Sequence, residues 1–364
     1  MTKGYYRFDK EVCQVLADFI GLQVEFIRDA LLVPKKILYQ KHVVSKKRGG
    51  VRILHEPCDE LKVVQGALLE YLHKNFVVGK RFFGCVPGKS PVDNARCHIW
   101  YKDEKPFLPE AMFHVDLKDA FPSVKEEMLR ELWTKMFSTK KFLQFTNESM
   151  EAAENLRQKL IDLLVYLTLH EGCLPQGAAT SPYLLNLVIS QRGLLKKIDD
   201  ALHAHTFKVS IYVDDIIISI PRSMFRRNSR TSMSWRSRKK IIRAIEECGF
   251  SVNPKKTRYN EQARKAHRVT GVSLTLDPDG KPRLTLCQKT RNTWRGHLHR
   301  ATLALETGRE PTVDEDGVSL PQAYGMAGWI QEVYEGFDLP NDIGTPLVDF
   351  KLACAYYKAT KQRW

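Results

Sequence analysis

The sequence has no long apolar run and no paired cysteine motif. No stretch of about 18 apolar residues and no signal peptide occurs in the 364 residues, so we expect a cytoplasmic protein with no membrane partner. The eight cysteines are scattered without a Cys-x-x-Cys spacing, which argues against a disulfide framework and against a cysteine zinc site. We therefore expect reduced thiols.

The chain also has fewer acidic residues than basic residues. The chain has 42 Asp and Glu against 57 Lys and Arg, a formal charge of +15, and a pI near 9.4. This excess of positive charge predicts a phosphate backbone as partner, with binding that weakens steeply as salt is added. A length of 364 residues with 43% hydrophobic content fits one core of two or three subdomains.

Three of the acids lie in strongly apolar surroundings. Asp116 lies in FHVDLKDAFPSV (113–124), and Asp214 and Asp215 lie in VSIYVDDIIISI (209–220). The second pattern predicts a β-hairpin whose tight turn carries the Asp pair. Burying unpaired carboxylates is costly unless a cation compensates them, and two Mg²⁺ ions would do so. The sequence therefore predicts a two-metal site for nucleotidyl transfer.

A third segment, LPQGAATSP (174–182), precedes the apolar run YLLNLVIS. Gly177 among small residues lets a backbone approach a flat ligand closely. Ser181 followed by Pro182 predicts a helix start, with a cap and then a first-turn proline. Gln176 would project from the loop ahead of that helix.

Together, and in this chain order, the three segments resemble motifs A, B and C of reverse transcriptases, and the resemblance covers most of residues 30–290. It implies an α+β, right-hand polymerase fold with fingers, a palm of antiparallel sheet plus helices, and a C-terminal α-helical thumb. The expected domains are 1–110 (N-terminal helices and fingers), 111–268 (palm, with a finger-side helical insertion at about 126–170) and 269–364 (primer-grip hairpin and helical thumb).

The resemblance also implies roles for single residues. Asp116 and Asp214 would hold two Mg²⁺ ions, with Asp215 beside them. Phe121 stands where the family keeps an aromatic ring under the incoming sugar, which implies dNTP rather than NTP as substrate. Gln176 resembles the glutamine that contacts the nucleotide. A core phenylalanine is the alternative for Phe121.

Two basic segments resemble further parts of the family site. Residues 249–257 (GFSVNPKKT) resemble motif D, where Lys256, in preference to Lys255, would act as general acid on the departing pyrophosphate. Residues 45–53 (SKKRGGVRI) predict a fingers hairpin. Arg52 and Lys47 (or Lys46) would contact the triphosphate. Solvated lysines are the alternative in both segments.

Two short signatures resemble those of retron reverse transcriptases. They are Asn-Ala-x-x-His at Asn94 and His98, and Val-Thr-Gly at Val269, Thr270 and Gly271. The resemblance implies that these elements contact the retron's own structured RNA. A structural reading stays open beside it, in which Asn94 caps a helix and Gly271 permits a strand bend.

Basic residues elsewhere are candidates for RNA contact. Segment 221–240 carries eight Lys and Arg with no acid. Its Arg226, Arg227 and Arg230 would neutralise phosphates, unless the segment is a solvated loop. Arg291 and Arg295 lie at spacings that would face a duplex from a thumb helix.

The retron resemblance implies partners and a product. The partners are dNTPs, a cognate non-coding RNA, its single-stranded DNA product and a separately encoded effector protein, within an antiphage system. The product would be branched RNA–DNA primed from the 2′-hydroxyl of a guanosine. The sequence shows no recognisable ribonuclease H or zinc endonuclease module, so we expect a host nuclease to remove RNA. The alternatives are an abortive-infection or diversity-generating reverse transcriptase, an inactive RNA-binding scaffold, and a polymerase that uses NTPs.

Overall fold

The computed structural model describes residues 8–45, 49–146, 149–202, 207–221, 235–261, 266–336 and 339–361. The helices, in chain order, are α1 Lys10–Ile20, α2 Val24–Leu32, α3 Asp59–Asn75, α4 Pro91–Arg96, α5 Ala120–Ser123, α6 Glu126–Met136, α7 Thr139–Thr146, α8 Met150–Thr168, α9 Ser181–Gln191, α10 Leu194–Leu202, α11 Trp235–Glu247, α12 Gln288–Glu306, α13 Val313–Asp316, α14 Leu320–Val333 and α15 Asn341–Lys361. The strands are β1 Tyr39–Ser45, β2 Val51–Pro57, β3 Trp100–Lys102, β4 Lys105–Phe107, β5 Ala111–Lys118, β6 Lys208–Tyr212, β7 Asp215–Ile220, β8 Ser251–Val252, β9 Arg258–Glu261, β10 His267–Val269, β11 Val272–Leu276 and β12 Pro282–Leu286.

These elements pack into two units. Unit 1 comprises Met1–Lys89, Phe113–Ile218 and Arg230–Arg258. Unit 2 comprises Ser90–Met112, Ser219–Ser229 and Tyr259–Trp364. Each unit is therefore built from segments that are far apart in the sequence.

A five-stranded sheet carries the predicted acidic segments. Its strand order is β6-β7-β5-β8, and β9 pairs with β5. The β5–β8 pairing is antiparallel, with Leu117 opposite Val252. Nearly every residue of β5 and β7 is buried, which explains why both strands are continuous apolar runs instead of alternating patterns. The predicted hairpin at the Asp pair is confirmed as β6–β7.

Helices of unit 1 form a core around α8 and α9. The α9 helix is buried on most of its surface, as expected of a helix that is apolar all round. Gln65 of α3 joins this core to the β1–β2 hairpin, because its Nε2 donates to Tyr39 Oη at 2.9 Å and to the Leu167 carbonyl at 2.8 Å. The helical insertion predicted near 126–170 is helical, and Leu160 and Leu164 place one face of α8 in the core.

Unit 2 contains a three-stranded sheet and a helical cluster. The sheet has the order β10-β11-β12, and Leu274 opposite Leu284 shows an antiparallel β11–β12 hairpin within 269–364. Leu298, Ile330 and Phe350 are fully buried and come from α12, α14 and α15. The predicted C-terminal helices are therefore present. Among the described residues, no helix combines the length and the apolarity that a bilayer crossing requires.

Candidate active site

The three carboxylates predicted from the sequence are brought together by the five-stranded sheet. Asp116 lies on β5, Asp214 lies in the two-residue turn between β6 and β7, and Asp215 begins β7. The Leu117 amide donates to the Asp214 carbonyl at 2.8 Å, so the turn lies beside the strand position that follows Asp116. Asp116 itself is only 6% exposed. One strand and one turn thus supply all three acids.

The turn that carries Asp214 has a strained backbone. Val213 adopts a φ of 57°, a left-handed conformation that is a genuine outlier for a β-branched residue. Two-residue hairpin loops normally place glycine or asparagine at such positions. Strain of this kind persists only where the surrounding structure enforces it, and it is concentrated at functional sites.

The segment 81–85 enforces the conformation of Val213. The Phe83 amide donates to the Ile211 carbonyl at 2.8 Å, which places the segment beside β6. At Gly84, an added Cβ would lie 2.6 Å from both the amide nitrogen and Cγ2 of Val213. Asn186 of α9 donates from Nδ2 to the Gly84 carbonyl at 2.8 Å. Glycine is therefore required where this segment supports the turn.

The crowded acids resist ionisation. Burial, followed by the charge of Asp116, raises the pKa of the Asp214 carboxyl. Burial, followed by the charges of Asp214 and Asp116, raises the pKa of Asp215 to about 6. Asp215 is exposed. Uncompensated negative charge is therefore concentrated at this turn.

Lys256 supplies part of the missing positive charge. Its Nζ donates to Asp116 Oδ1 at 2.8 Å, and this hydrogen bond is the main cause of the raised pKa of Lys256. The Asn253 amide donates to the Asp116 carbonyl at 2.8 Å, which fixes the turn that presents the lysine. Lys255 and Lys256 are both exposed, and it is Lys256 whose Nζ the structure places against Asp116.

The donor set fits a hard divalent cation. All three groups are carboxylates, the ligand type that Mg²⁺ prefers, and no imidazole or thiolate belongs to the set. Burial, and after it the charges of neighbouring acids, raises the pKa of Asp214 and of Asp215 although Lys256 lies nearby. Asp116, Asp214 and Asp215 would hold such an ion, and its binding would relieve their mutual repulsion.

The predicted nucleotide-contacting residues occupy unit 1 as well. Arg52 of β2 is exposed, and its positive charge partly offsets the rise in the pKa of Asp214. Phe121 lies on the one-turn helix α5 that follows β5, and it is half-buried. Gln176 is half-buried, and its carbonyl accepts from the His55 amide at 2.7 Å. Lys47 and its alternative at position 46 lie outside the described residues.

The loop before α9 differs from its prediction at the helix start. A Cβ at Gly177 would lie 2.9 Å from the His55 carbonyl oxygen, so the backbone at Gly177 approaches β2 closely. Its approach to a flat ligand stays a prediction. Thr180, not Ser181, precedes the helix, and it makes no side-chain cap. Both hydroxyls are buried and have no hydrogen-bond partner within the described part of the chain, so the predicted serine cap is wrong. Pro182 does lie in the first turn.

The first of the two short signatures is buried in unit 2. Ser90 caps α4 and shares a capping box with Asp93, so the prediction that Asn94 caps the helix is wrong. Asn94 and His98 are both fully buried. His98 Nδ1 lies 2.9 Å from Ser219 Oγ, whereas neither polar atom of the Asn94 side chain has a partner among the described residues. Neither side chain is exposed in this structure, and contact between this element and RNA stays a prediction.

The second signature forms a tight turn against the first. Val269 and Val272 pair across the β10–β11 hairpin, and the loop residues Thr270 and Gly271 have φ values of 45° and 92°. Two positive values identify the geometry that favours glycine in a hairpin loop. Thr270 Oγ1 donates to the Pro91 carbonyl of α4 at 2.7 Å. Val269 is fully buried, so it supports the sheet and does not present an RNA-contacting side chain.

The remaining basic residues that were predicted to contact RNA lie in different parts of the chain. Arg291 Nε lies 3.4 Å from an Asp342 carboxylate oxygen, so its guanidinium faces α15 instead of a free surface. Arg295 is exposed on α12. Arg226 and Arg227, with the rest of 222–234, lie outside the described residues.

Some residues near the acids were not predicted from the sequence. Arg258 partly offsets the rise in the pKa of Asp215. Gly84 and Asn186 support the turn, as described above. The glycines of segment 84–88 were visible in the sequence, but the role of Gly84 follows only from its contact with Val213 in the folded chain.

Comparison with known proteins agrees with this geometry. The family model described as "Reverse transcriptase (RNA-dependent DNA polymerase)" matches residues 44–274. The chain is 30% identical to the retron Mx65 reverse transcriptase of Myxococcus xanthus over 68% of its own length and 54% of that protein. It is 26% identical to the retron Ec73 reverse transcriptase of Escherichia coli, over 71% of this chain and 74% of the relative.

Further similarities involve a second E. coli protein and one solved structure. The retron Ec86 reverse transcriptase is 24% identical over 71% of this chain and 70% of its own length. An apo telomerase from Candida tropicalis, truncated from its C-terminal domain, has a TM-score of 0.43 and 13% identity over 68% of this chain and 54% of that chain. The chain thus spans about half the length of the Mx65 enzyme.

The family match includes the three carboxylates, the Gln176 loop and the whole motif D segment. The α+β, right-hand polymerase fold class is confirmed by that match together with the mixed helices and antiparallel sheets. The chain belongs to the reverse transcriptase (RNA-dependent DNA polymerase) family, and the curated relatives that it resembles are retron reverse transcriptases.

Proposed function

We propose that this chain is the RNA-directed DNA polymerase of a retron, copying part of a cognate structured RNA into single-stranded DNA. The observation that carries the proposal is the convergence of Asp116, Asp214 and Asp215 on a strained, glycine-supported turn with Lys256 beside it. Similarity to retron enzymes supports the choice of template and product class. We assign 1–110 to the fingers, 111–268 to the palm and 269–364 to the primer grip and thumb.

The three carboxylates would hold two Mg²⁺ ions. When bound, the ions would polarise the phosphate and stabilise the charge that develops on the attacking and leaving oxygens. Asp116 would position the ions from strand β5, and Asp214 would position them from the β6–β7 turn. Lys256 exchanges its present partner, Asp116 Oδ1, for the departing pyrophosphate and donates a proton to it.

Selection of the nucleotide falls to the residues around β2 and α5. Arg52 would bind triphosphate oxygens with its forked guanidinium, aided by Lys47. Phe121 would lie under the sugar and exclude a 2′-hydroxyl by contact, which selects dNTPs. Gln176 would contact the nucleotide from a loop that is fastened to β2 through the His55 amide.

Recognition of the cognate RNA falls to unit 2 and to basic surfaces. Helix α4 and the β10–β11 turn, which pack together, would shape a surface for the RNA. The buried side chains of Asn94, His98 and Val269 would hold these two elements in position. Arg295 and the basic segment around Arg226 and Arg227 would contact phosphates. The product would be RNA–DNA branched at a guanosine 2′-hydroxyl, held in an antiphage complex with a separately encoded effector.

Purification of the protein from cells that carry its native operon tests the proposal. The bound nucleic acid is digested separately with RNase and with DNase, beside a preparation of the Asp214→Asn variant. We expect a small RNA covalently joined to single-stranded DNA in the wild type, and RNA alone in the variant. DNA without an RNA branch would assign the chain to another reverse transcriptase class, and RNA alone in the wild type would indicate a scaffold.

A further inference from the structure

Three potential metal ligands meet in unit 1 apart from the carboxylate cluster. His55 comes from β2, and His170 and Glu171 follow α8. Their candidate ligand atoms all lie within 4.8 Å of one another. The rings of His55 and His170 are in contact, with centroids 4.7 Å apart. None of the three side chains has a role in the proposed polymerase reaction.

The backbone around His170 and Glu171 is fixed independently of any ligand. The His170 amide donates to the Cys173 carbonyl at 3.0 Å, and the Cys173 amide returns a bond of 3.1 Å to His170. Glu171 and Gly172 between them have φ values of 49° and 74°. A glutamate is rarely found in this left-handed conformation. The turn thus holds two adjacent potential ligands in a strained, defined geometry.

The position of His55 relative to that turn is fixed by different contacts. The His55 amide donates to the Gln176 carbonyl at 2.7 Å. Gly177 lies so close to the His55 backbone that an added Cβ would lie 2.9 Å from its carbonyl oxygen. The segment that follows His170 is therefore fastened to β2 at two points. Preorganisation of this kind lowers the entropic cost of binding a ligand.

We propose that His55, His170 and Glu171 bind one divalent transition-metal ion, represented by Zn²⁺. Two imidazoles and a carboxylate suit Zn²⁺, Co²⁺ or Ni²⁺ better than Mg²⁺, which selects oxygen ligands. Ligand atoms around tetrahedral zinc lie about 3.4 Å apart, so small side-chain rotations close the set. Water completes the coordination.

The surroundings oppose a cation at longer range. Lys35, Lys36 and Lys41 line the same recess. All three are exposed, and charges in water are screened over about 8 Å at physiological salt. The lysines would also suit inorganic phosphate, which the experiment must distinguish.

A bound metal would clamp β2 to the segment that leads to Gln176. Because it binds only the folded arrangement, Zn²⁺ should raise the melting temperature of the chain. The inference does not depend on polymerase activity, so its failure and the failure of the proposed function are separate results.

Titration calorimetry with Zn²⁺ on the purified chain, under reducing conditions and with excess Mg²⁺ to occupy the carboxylate site, tests the proposal. We expect one bound equivalent in the wild type, and binding at least about 100-fold weaker in His55→Gln and His170→Gln. Glu171→Gln should bind about 10-fold more weakly, and the exposure of Glu171 keeps this variant folded. His299→Gln, an exposed histidine of α12, and Asp214→Asn serve as controls that retain the equivalent.

Cobalt substitution identifies the ligand atoms. Co²⁺ at the proposed site should give visible absorption without a thiolate-to-cobalt charge-transfer band. A charge-transfer band would mean that cysteine binds the metal. Undiminished Zn²⁺ binding in both histidine variants, or binding of inorganic phosphate with none of Zn²⁺, would overturn the proposal.

Discussion

At the scale of the residue, burial and contacts among charged groups shift the pKa values of Asp214, Asp215 and Lys256. Asp214 and Asp215 have raised pKa values because burial and neighbouring acids disfavour their charged forms. Lys256 has a raised pKa because it donates to Asp116. The metal-free site is therefore short of positive charge, and cation binding and pH must be coupled there.

Asp215 gives a test of that coupling. Its folded-state pKa of about 6 lies above the unfolded value of about 4, so its contribution to stability is present at low pH and is lost as pH rises through 6. Relative to Asp215→Asn, the metal-free wild type should lose about 2–4 °C of melting temperature between pH 5 and 8. Mg²⁺ should restore this loss only above pH 6.

Thermal scans of both proteins at several pH values, with and without Mg²⁺, measure the effect. The Asp215→Asn variant is the reference for every other titrating group. Parallel melting-temperature profiles for the two proteins would show that Asp215 ionises normally in the folded state.

Phe121 gives a second test at the same scale. Replacing it with Ala removes the ring that we place under the sugar, so ribonucleotide incorporation should rise by about 10-fold or more relative to dNTP use. Single-nucleotide extension with each substrate measures the ratio. Phe76→Ala, which removes a distant ring of unit 1 that packs on Tyr71, is the control. Equal discrimination in the Phe121 variant would exclude the sugar-gate role.

At the scale of the element, the positions of the site residues depend on contacts between segments that are distant in sequence. The 81–85 segment lies beside β6, and α9 reaches it through Asn186. The turn conformation at Val213 is thus maintained by two other segments. A small displacement of any of these segments would move Asp214.

Gly84→Ala tests the role of this support. The added methyl would clash with Val213, and a shift of about 1 Å in a catalytic group costs about 100-fold in rate. We expect kcat to fall by that order while the affinity for RNA stays the same. Gly79→Ala is the matched control, because its Cβ would meet Phe82 at an ordinary 3.9 Å. An unchanged kcat would mean that the turn does not depend on Gly84.

The sequence predicted elements better than it predicted contacts. Apolar runs around Asp116 and the Asp pair were sufficient for the β-strands and the hairpin, because both sides of these strands are buried. The burial of Asn94 was missed, because a short signature does not reveal that α4 packs on the β10–β11 turn. The serine cap was wrong because Thr180 takes the preceding helical position.

At the scale of the whole molecule, the formal charge of +15 is the property that connects the fold to its partners. Polymerisation on a long RNA requires affinity along a phosphate backbone, which distributed cations provide. Composition alone predicted this partner class. It did not predict which basic residues are committed to protein contacts, as Arg291 is to Asp342.

The segment around Arg226, Arg227 and Arg230 gives a test at this scale. Replacing all three with Ala should lower the slope of log affinity against log salt by about 2, since each single-strand phosphate contact contributes about 0.7. The control removes three exposed lysines elsewhere, Lys74, Lys102 and Lys105. Filter binding of RNA over a salt series measures both slopes. Equal slopes in the two variants would indicate a solvated segment.

Primer extension by amide variants tests the central claim most directly. Asp116→Asn and Asp214→Asn keep the shape of each side chain but remove the charge that would hold Mg²⁺. With template RNA, primer, dNTPs and Mg²⁺, each variant should lose about 1,000-fold or more in rate. Asp119→Asn, the same change at an exposed position three residues beyond Asp116, should extend at the wild-type rate. Wild-type extension by either of the first two variants would contradict the assignment of the active site.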